Sequence, residues 1–398
     1  MADLLSRRDL EFQLYEVLDT EALCQRARCA EHSRATFDQI MDAAKVLAQT
    51  RFRPHWKTVD VAEPTFDGHR VHPHPAVKEA LDAYVEAGCM VAGHSADRGG
   101  LQLPCVVEKA AFAHFKAANG STAGYALLTG AAVNLILAHG TPAQIEQYAE
   151  PMPAGRFFGT MALSETQAGS SLADITTRAV PGPDGTYRLF GSKMWISAGD
   201  HELSENIVHL VMAKIEGAPA GVRGISLFIV PKYLMADDGT LADRTDVCIG
   251  GLNHKMGSRG TVNPVFNLGE GKFRPLGSAG AVGTNTNLIH LGTALAAGVT
   301  ALVETTDRLV ACPDPERGLA NAFPYLTVFG HTVVGWLWVE QALAAQRGLE
   351  ASPGDRFYLG KLAAARYFLD WVLAATQPTH QLLRRLDETP LSMQPEWY

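Results

Sequence analysis

The run FFGTMALSETQAGSSLADITTRA (157–179), continued by GTYRLFGSKMWISAGDHELSENIVHLVMAKI (185–215) and GISLFIVPKYL (224–234), decides how this chain is read. Its apolar and β-branched residues come in short blocks, TYRLFGSK, NIVHLVMAKI and GISLFIV, parted by glycine-bearing turns such as Pro183-Asp184-Gly185. Blocks of that length bounded by turn residues predict strands. With DVCIGG and TVNPVFNL further on, the β texture extends from Thr160 to Leu268.

On either side the period changes to that of helices. FDQIMDAAKVLA, AVKEALDAYVEAG and CVVEKAAFAHFKAAN space their apolar residues by three and four, which predicts an N-terminal helical domain. Gly140 is placed to end LLTGAAVNLILAHG; Thr141 can then cap a new helix with Pro142 at its first position. Beyond a glycine- and alanine-rich loop (277–283), helical periodicity returns over Thr293 to Val310, Ala320 to Gln346 and Phe357 to Ala375. Pro313, Pro315 and Ser352-Pro353-Gly354 separate these segments. The expected fold is α+β and multidomain: helical residues 1–155, a central β-sandwich or barrel-like domain at 156–282, and a helical region at 283–398.

With 398 residues, 47% of them hydrophobic, the chain can bury a large core. Its net charge of -8 offers no general attraction to phosphate backbones, so nucleic acid is not an expected partner. Cys24, Cys29, Cys89, Cys105, Cys248 and Cys312 form no CxxC pair and read as free thiols of a reducing compartment, with no metal site. The N-terminal MADLLSRRDLEFQLYEVL lacks the apolar run and cleavage site of an export signal, so a cytoplasmic location is expected. The apolar stretch Val333 to Val339 is too short to span a membrane and reads as a buried helix.

Two elements of the β region carry chemistry. Met161-Ala162-Leu163-Ser164-Glu165, followed by Gly169-Ser170-Ser171, and Trp195-Ile196-Ser197 together resemble the middle domain of the acyl-CoA dehydrogenase family, whose members oxidise acyl-CoA thioesters with FAD. A flat, amphipathic isoalloxazine needs backbone and hydroxyl groups at its edge and an aromatic neighbour on its face. The resemblance therefore implies FAD contacts from Met161, Leu163, Ser164, Gly169, Ser170, Trp195, Ile196 and Ser197, with Ser170 also near the acyl-CoA phosphopantetheine. By itself Trp195 would read as an ordinary strand residue; both elements at family spacing reverse that. Glu165 and His201 read as turn or capping residues, and His209 as core.

ENIVHLV, GLNHKMG (251–257) and the C-terminal run resemble the long subgroup with a helical C-terminal extension, in which the enzyme acting on 3-methylmercaptopropionyl-CoA is found. Family members place a glutamate base in an I-H-E-G-T type element. Here Ile289-His290-Leu291-Gly292-Thr293 aligns on it, with Leu291 in the base position, so no catalytic residue is assigned. Measured against the subgroup, about 150 residues are absent between Gly283 and this element. His290 would point differently from the residue it adjoins, and Glu304 lies well along the next helix. The turn that holds the adenine end of FAD also lacks a counterpart, which implies weakened binding.

The reading expected is α,β-dehydrogenation of an acyl-CoA, with an electron-transfer flavoprotein or similar acceptor and a homo- or hetero-oligomeric state. The alternative is a catalytically impaired partner subunit or scaffold for a full-length homologue. A DNA-associated role, known among distant relatives, would want a basic surface patch that the acidic balance does not favour.

Overall fold

A computed structural model describes residues 3–182, 185–236, 238–272 and 298–392. The chain divides into two compact units, Met1–Ser6 with Glu21–Leu288 and Arg7–Thr20 with Ile289–Tyr398. A contiguous helical domain over 1–155 is thus interrupted: residues 7–20 group with the C-terminal helices.

In the first unit the helices Arg34–Leu47, Pro75–Glu86, Cys105–Ala118 and Gly120–His139 form where the periodicity put them. Ser33 Oγ accepts the Thr36 N–H at 3.3 Å and caps the first, which turns Phe37, Met41 and Ala44 inward. Phe52 and Tyr84 pack edge-on against Phe115, with ring centroids 5.0 and 4.9 Å away. Asn119 caps Gly120–His139 by accepting from Thr122 N–H at 3.2 Å, while its amide donates to the Phe52 carbonyl. Thr141 and Gln144 form a full capping box behind Pro142.

Seven strands form the main sheet: β1 Phe157–Ala162, β2 Arg178–Pro181, β3 Tyr187–Lys193, β4 Asn206–Ile215, β5 Ile225–Pro231, β6 Val247–Leu252 and β7 Pro264–Leu268. The path runs β6-β7-β3-β2-β4, and β4 pairs with both β1 and β5. β1 and β4 are parallel from Phe157↔Asn206 to Ala162↔Val211. That stretch of β4 is buried throughout, and its two polar residues, Asn206 and His209, are hydrogen-bonded inside. β3 meets β7 at Lys193↔Phe266, and a bulge between Ile249 and Gly251 irregularises the β6 edge. Gly159 in β1 lies against Gly120–His139, where a Cβ would stand 2.4 Å from that of Ala132.

The second unit consists of Gly298–Val310, Ala322–Ala351, Arg356–Tyr367, Gln377–Arg384 and shorter helical turns, with Arg7–Val17 packed on them. Phe12 is fully buried against Ala344, Ala345, Phe357 and Tyr358. Around it, Arg8 bonds Glu16 and lies 4.3 Å from the Phe357 ring centroid, Lys361 pairs with Asp9, and Tyr358 donates to Glu16 at 2.6 Å.

The buried-helix reading of Val333 to Val339 is corrected. These residues lie within the 30-residue Ala322–Ala351, which buries only Val328, Thr332, Gly335, Ala344 and Ala345. This helix and Gly120–His139 are both long and apolar enough to cross a membrane, with mean hydropathies of 1.2 and 1.4. Thr327, Gly330, His331 and Thr332 break the apolar run in Ala322–Ala351 without adding a fixed charge, which is why the sequence understated its length. Gly120–His139 is half buried as a core helix; Ala322–Ala351 is 17% buried.

Candidate functional site

β1 ends at Ala162 and releases the turn Leu163-Ser164; β3 ends at Lys193 and releases Met194 to Ser197. The two segments touch, since Met194 N–H donates to the Ser164 carbonyl at 2.8 Å. Trp195 then adopts φ +65° and Ala198 φ +56°, left-handed values that a bulky residue holds only when its surroundings impose them. Here the surroundings are the hydrogen bonds Ile196 N to Pro264 O at 3.2 Å and Ala198 N to Val262 O at 2.7 Å, with Ile196 buried between. Gly199 completes the turn where a Cβ would come within 2.7 Å of Pro264 and Phe266. With that backbone Trp195 is 52% exposed, and Met161, near the end of β1, is 37% exposed. Trp195 is not an ordinary core strand residue.

Beneath these turns lies a buried ion pair. Lys193 Nζ is 2.9 Å from Glu165 Oε1, with side chains 0% and 2% exposed. The Glu165 carboxylate also accepts from Thr176 and Thr177, backbone and hydroxyl alike, at 2.6–3.0 Å, and from Gln167 at 2.7 Å. Lys193 spends a second proton on the Leu163 carbonyl at 3.0 Å. Burial opposes ionisation of Glu165, but the bonds from Thr177, Lys193 and Thr176 outweigh it and hold the carboxyl at about 2. One pair thus fixes both segments: Glu165 anchors 163–169 and Lys193 anchors 193–197.

Ser197 Oγ accepts from Asn263 Nδ2 at 3.1 Å, and Asn263 Oδ1 accepts from Asn253 at 3.2 Å, which leaves the Ser197 proton directed elsewhere. Ser164 is half-buried, and among the described residues its hydroxyl has no partner. Gly169 and Ser170 are exposed, and a Cβ on Gly169 would meet nothing within 4 Å. Beyond the turn, Asp200 is buried between Lys232 and Arg244, each 2.7 Å away. His201 accepts the Leu203 N–H at Nδ1, while His209 pairs with Thr160 at 2.8 Å. Burial pushes both imidazoles down to about 3, so they stay neutral and structural.

Three successive family models match this architecture: "Acyl-CoA dehydrogenase, N-terminal domain" over 35–156, "Acyl-CoA dehydrogenase, middle domain" over 160–264, and "Acetyl-CoA dehydrogenase C-terminal like" over 277–394. The chain belongs to the acyl-CoA dehydrogenase family. It is 43% identical over 189 residues to 3-methylmercaptopropionyl-CoA dehydrogenase of Ruegeria pomeroyi, an alignment covering 48% of this chain and 32% of that one. It is 33% identical over 255 residues to the broad-specificity linear acyl-CoA dehydrogenase FadE5 of Mycobacterium tuberculosis, covering 63% and 41%. The chain therefore spans less than half the length of these curated relatives. An acyl-CoA dehydrogenase structure from Geobacillus kaustophilus shares the fold at a TM-score of 0.50 and 15% identity, over 90% of this chain and 99% of that one.

Within this acyl-CoA dehydrogenase fold the structure brings Leu163, Ser164, Trp195, Ile196 and Ser197 onto adjoining turns, with Met161 in the strand β1 that leads into the first of them. Gly169 and Ser170 stay in the open loop, and no described contact joins Ser170 to the Trp195 segment. Leu291 and His290 lie outside the described residues. Glu304 is committed to an ion pair with Arg384. Sequence reasoning missed Lys193 and Asn263. Lys193 sits at a strand end where a lysine reads as solvent-facing, and its only signal was the buried acid 28 residues upstream; the polar trio Asn253, Asn263 and Ser197 gave none in sequence. Among the described residues no cluster of three His, Cys, Asp or Glu could hold a metal.

Proposed function

We propose that this chain binds FAD on the surface formed by Met161, Leu163, Ser164, Trp195 and Ser197, with the buried Ile196 supporting it from behind, and serves α,β-dehydrogenation of an acyl-CoA thioester. The exposed, strained Trp195 held beside the Ser164 turn carries this reading. The donor set fits the ring: an aromatic face and a Met side chain for the flat apolar surface, and two hydroxyls, one without a partner among the described residues, for the polar edge. Gly169 and Ser170 would admit the cofactor phosphates or the phosphopantetheine chain. When bound, FAD supplies the hydride acceptor; the residues named here hold and orient it.

Dehydrogenation also requires a base for the α-proton, since an α-C–H is a weak acid even beside a polarised thioester. The resemblance puts Leu291 there, and leucine takes no proton. That favours a second reading, in which the chain is a catalytically impaired partner subunit or scaffold whose site a full-length homologue completes. Either reading includes a role in fatty acid metabolism, a cytoplasmic location, an oligomeric state, and an electron-transfer flavoprotein or similar acceptor for whichever subunit turns over. Anaerobic titration of the FAD-loaded chain with butyryl-, octanoyl- and palmitoyl-CoA separates them. Dehydrogenation by this chain bleaches the visible flavin band; a band that survives all three in excess assigns the chain to the partner role.

A further inference from the structure

The helix Gly120–His139 begins at the wall of a cavity that the reading above does not use. The cavity has a volume of about 390 Å³, and Leu4, Arg53, Trp56, Gly120, Ser121 and Ser258 are among the residues that line it, all within the first unit. A helix leaves its first four N–H groups outside its own ladder. Here that of Asn119 donates to the Phe115 carbonyl at 2.9 Å, and that of Thr122 to the Asn119 side chain at 3.2 Å. Those of Gly120 and Ser121 have no partner among the described residues.

Solvent satisfies an ordinary exposed helix end, but the Ser121 side chain is not in that position. Ser121 is 5% exposed and lines the cavity, and its hydroxyl makes no hydrogen bond among the described residues. A buried hydroxyl left in that state is costly unless something enters the cavity to meet it. Arg53 stands in the same wall, and among the described residues no carboxylate pairs with its guanidinium. A Cβ at Gly120 would lie 3.7 Å from both Lys116 Nζ and Ser258 Oγ, so the glycine keeps the space between them open. Asp60 is the one acid among the described lining residues, and Arg259 engages it, through its backbone N–H at 3.1 Å and its guanidinium at 3.4 Å.

We infer that this cavity binds a phosphate group, with the N–H groups of Gly120 and Ser121, the Ser121 hydroxyl and the Arg53 guanidinium as its donors. A tetrahedral dianion presents acceptor oxygens on several sides and can use all of them, whereas a planar carboxylate uses fewer. The positive end of the 20-residue helix and the nearby Lys116 ammonium favour the charge. The Trp56 ring, 45% exposed, and Leu4 give an apolar wall for the organic part of a phosphate ester. None of these residues belongs to the surface assigned to FAD, so the site stands whether or not that assignment does.

The test is isothermal titration calorimetry on the full chain without added FAD, using inorganic phosphate, phenyl phosphate and acetate against the parent, Ser121→Ala and Arg53→Gln. Alanine suits the first turn of a helix and Arg53 has no ion pair to lose, so far-UV circular dichroism should be the same for all three proteins. The expected result is saturable phosphate binding with a dissociation constant of about 1 mM or lower at low salt, weakened about tenfold or more by Arg53→Gln and about threefold or more by Ser121→Ala. Tighter binding of phenyl phosphate assigns the site to an organic ester and equal binding assigns it to the free ion; both uphold the inference. A parent that binds neither phosphate, binding indifferent to both substitutions, or acetate held as tightly as phosphate would each overturn it.

Discussion

Methionine in place of Lys193 will cost the first unit about 3–5 kcal/mol, because it strands the Glu165 carboxylate, 2% exposed, without its cation. The remaining donors from Thr176, Thr177 and Gln167 hold that carboxylate in place but supply no opposite charge. The same substitution removes the bond to the Leu163 carbonyl, so the Leu163-Ser164 turn loosens together with the Met194 to Ser197 segment it touches. Stability and FAD affinity should therefore fall together. Adding Glu165→Gln to Lys193→Met removes the orphaned charge and should return part of the stability, so that the double variant is more stable than Lys193→Met alone. The folded pKa of Glu165, about 2, is depressed below its ordinary 4.5, so its contribution is complete above about pH 4.5 and is lost as pH falls toward 2. Urea unfolding of the set measures the coupling. A Lys193→Met variant within about 1 kcal/mol of the parent would show that the pair is not the anchor described.

Alanine at Phe12 will destabilise the second unit by about 3–5 kcal/mol, the usual loss for truncating a fully buried phenylalanine. Phe12 is 0% exposed, with its ring 5.2 Å from that of Phe357 and capped by Lys361 at 5.1 Å. Such a loss is a large share of the 5–15 kcal/mol typical of a domain. Because the cores of the two units are separate clusters, hydrogen exchange should accelerate across Ala322–Ala351 and Arg356–Tyr367 while β1, β4 and β5 keep their protection. Faster exchange confined to residues 7–20 would mean that this segment is only a superficial attachment.

The two results mark what the sequence could reveal. Helices with a regular apolar stripe, Arg34–Leu47 and Pro75–Glu86, and the Thr141 cap were legible because a period or a local motif encodes them. NIVHLVMAKI is the strand β4 to the residue, since a β-branched and apolar run is bounded by turns on both sides. The attachment of Arg7–Val17 to helices more than 300 residues later was not legible: RRDLEFQLYEV is a weakly amphipathic run whose partner surface exists only after folding. In the candidate site, Trp195 and Ser164 were named from their motifs, and the structure sets them on touching segments. The left-handed backbone that exposes Trp195 and the buried lysine that fixes its segment arise from pairings of β3 with β7 and of Glu165 with Lys193, which no local pattern announces.

Trp195 therefore gives the most direct test of the account. Glycine there relieves a left-handed φ that tryptophan tolerates poorly, and removes a ring that is half exposed. FAD titrated into the parent chain and into Trp195→Gly, with the visible spectrum of the protein fraction recorded after gel filtration, should show bound flavin in the parent and an affinity about tenfold or more weaker in a variant at least as stable; a parent that emerges colourless, or a variant that holds FAD as well as the parent does, would contradict the assignment of this surface to the cofactor.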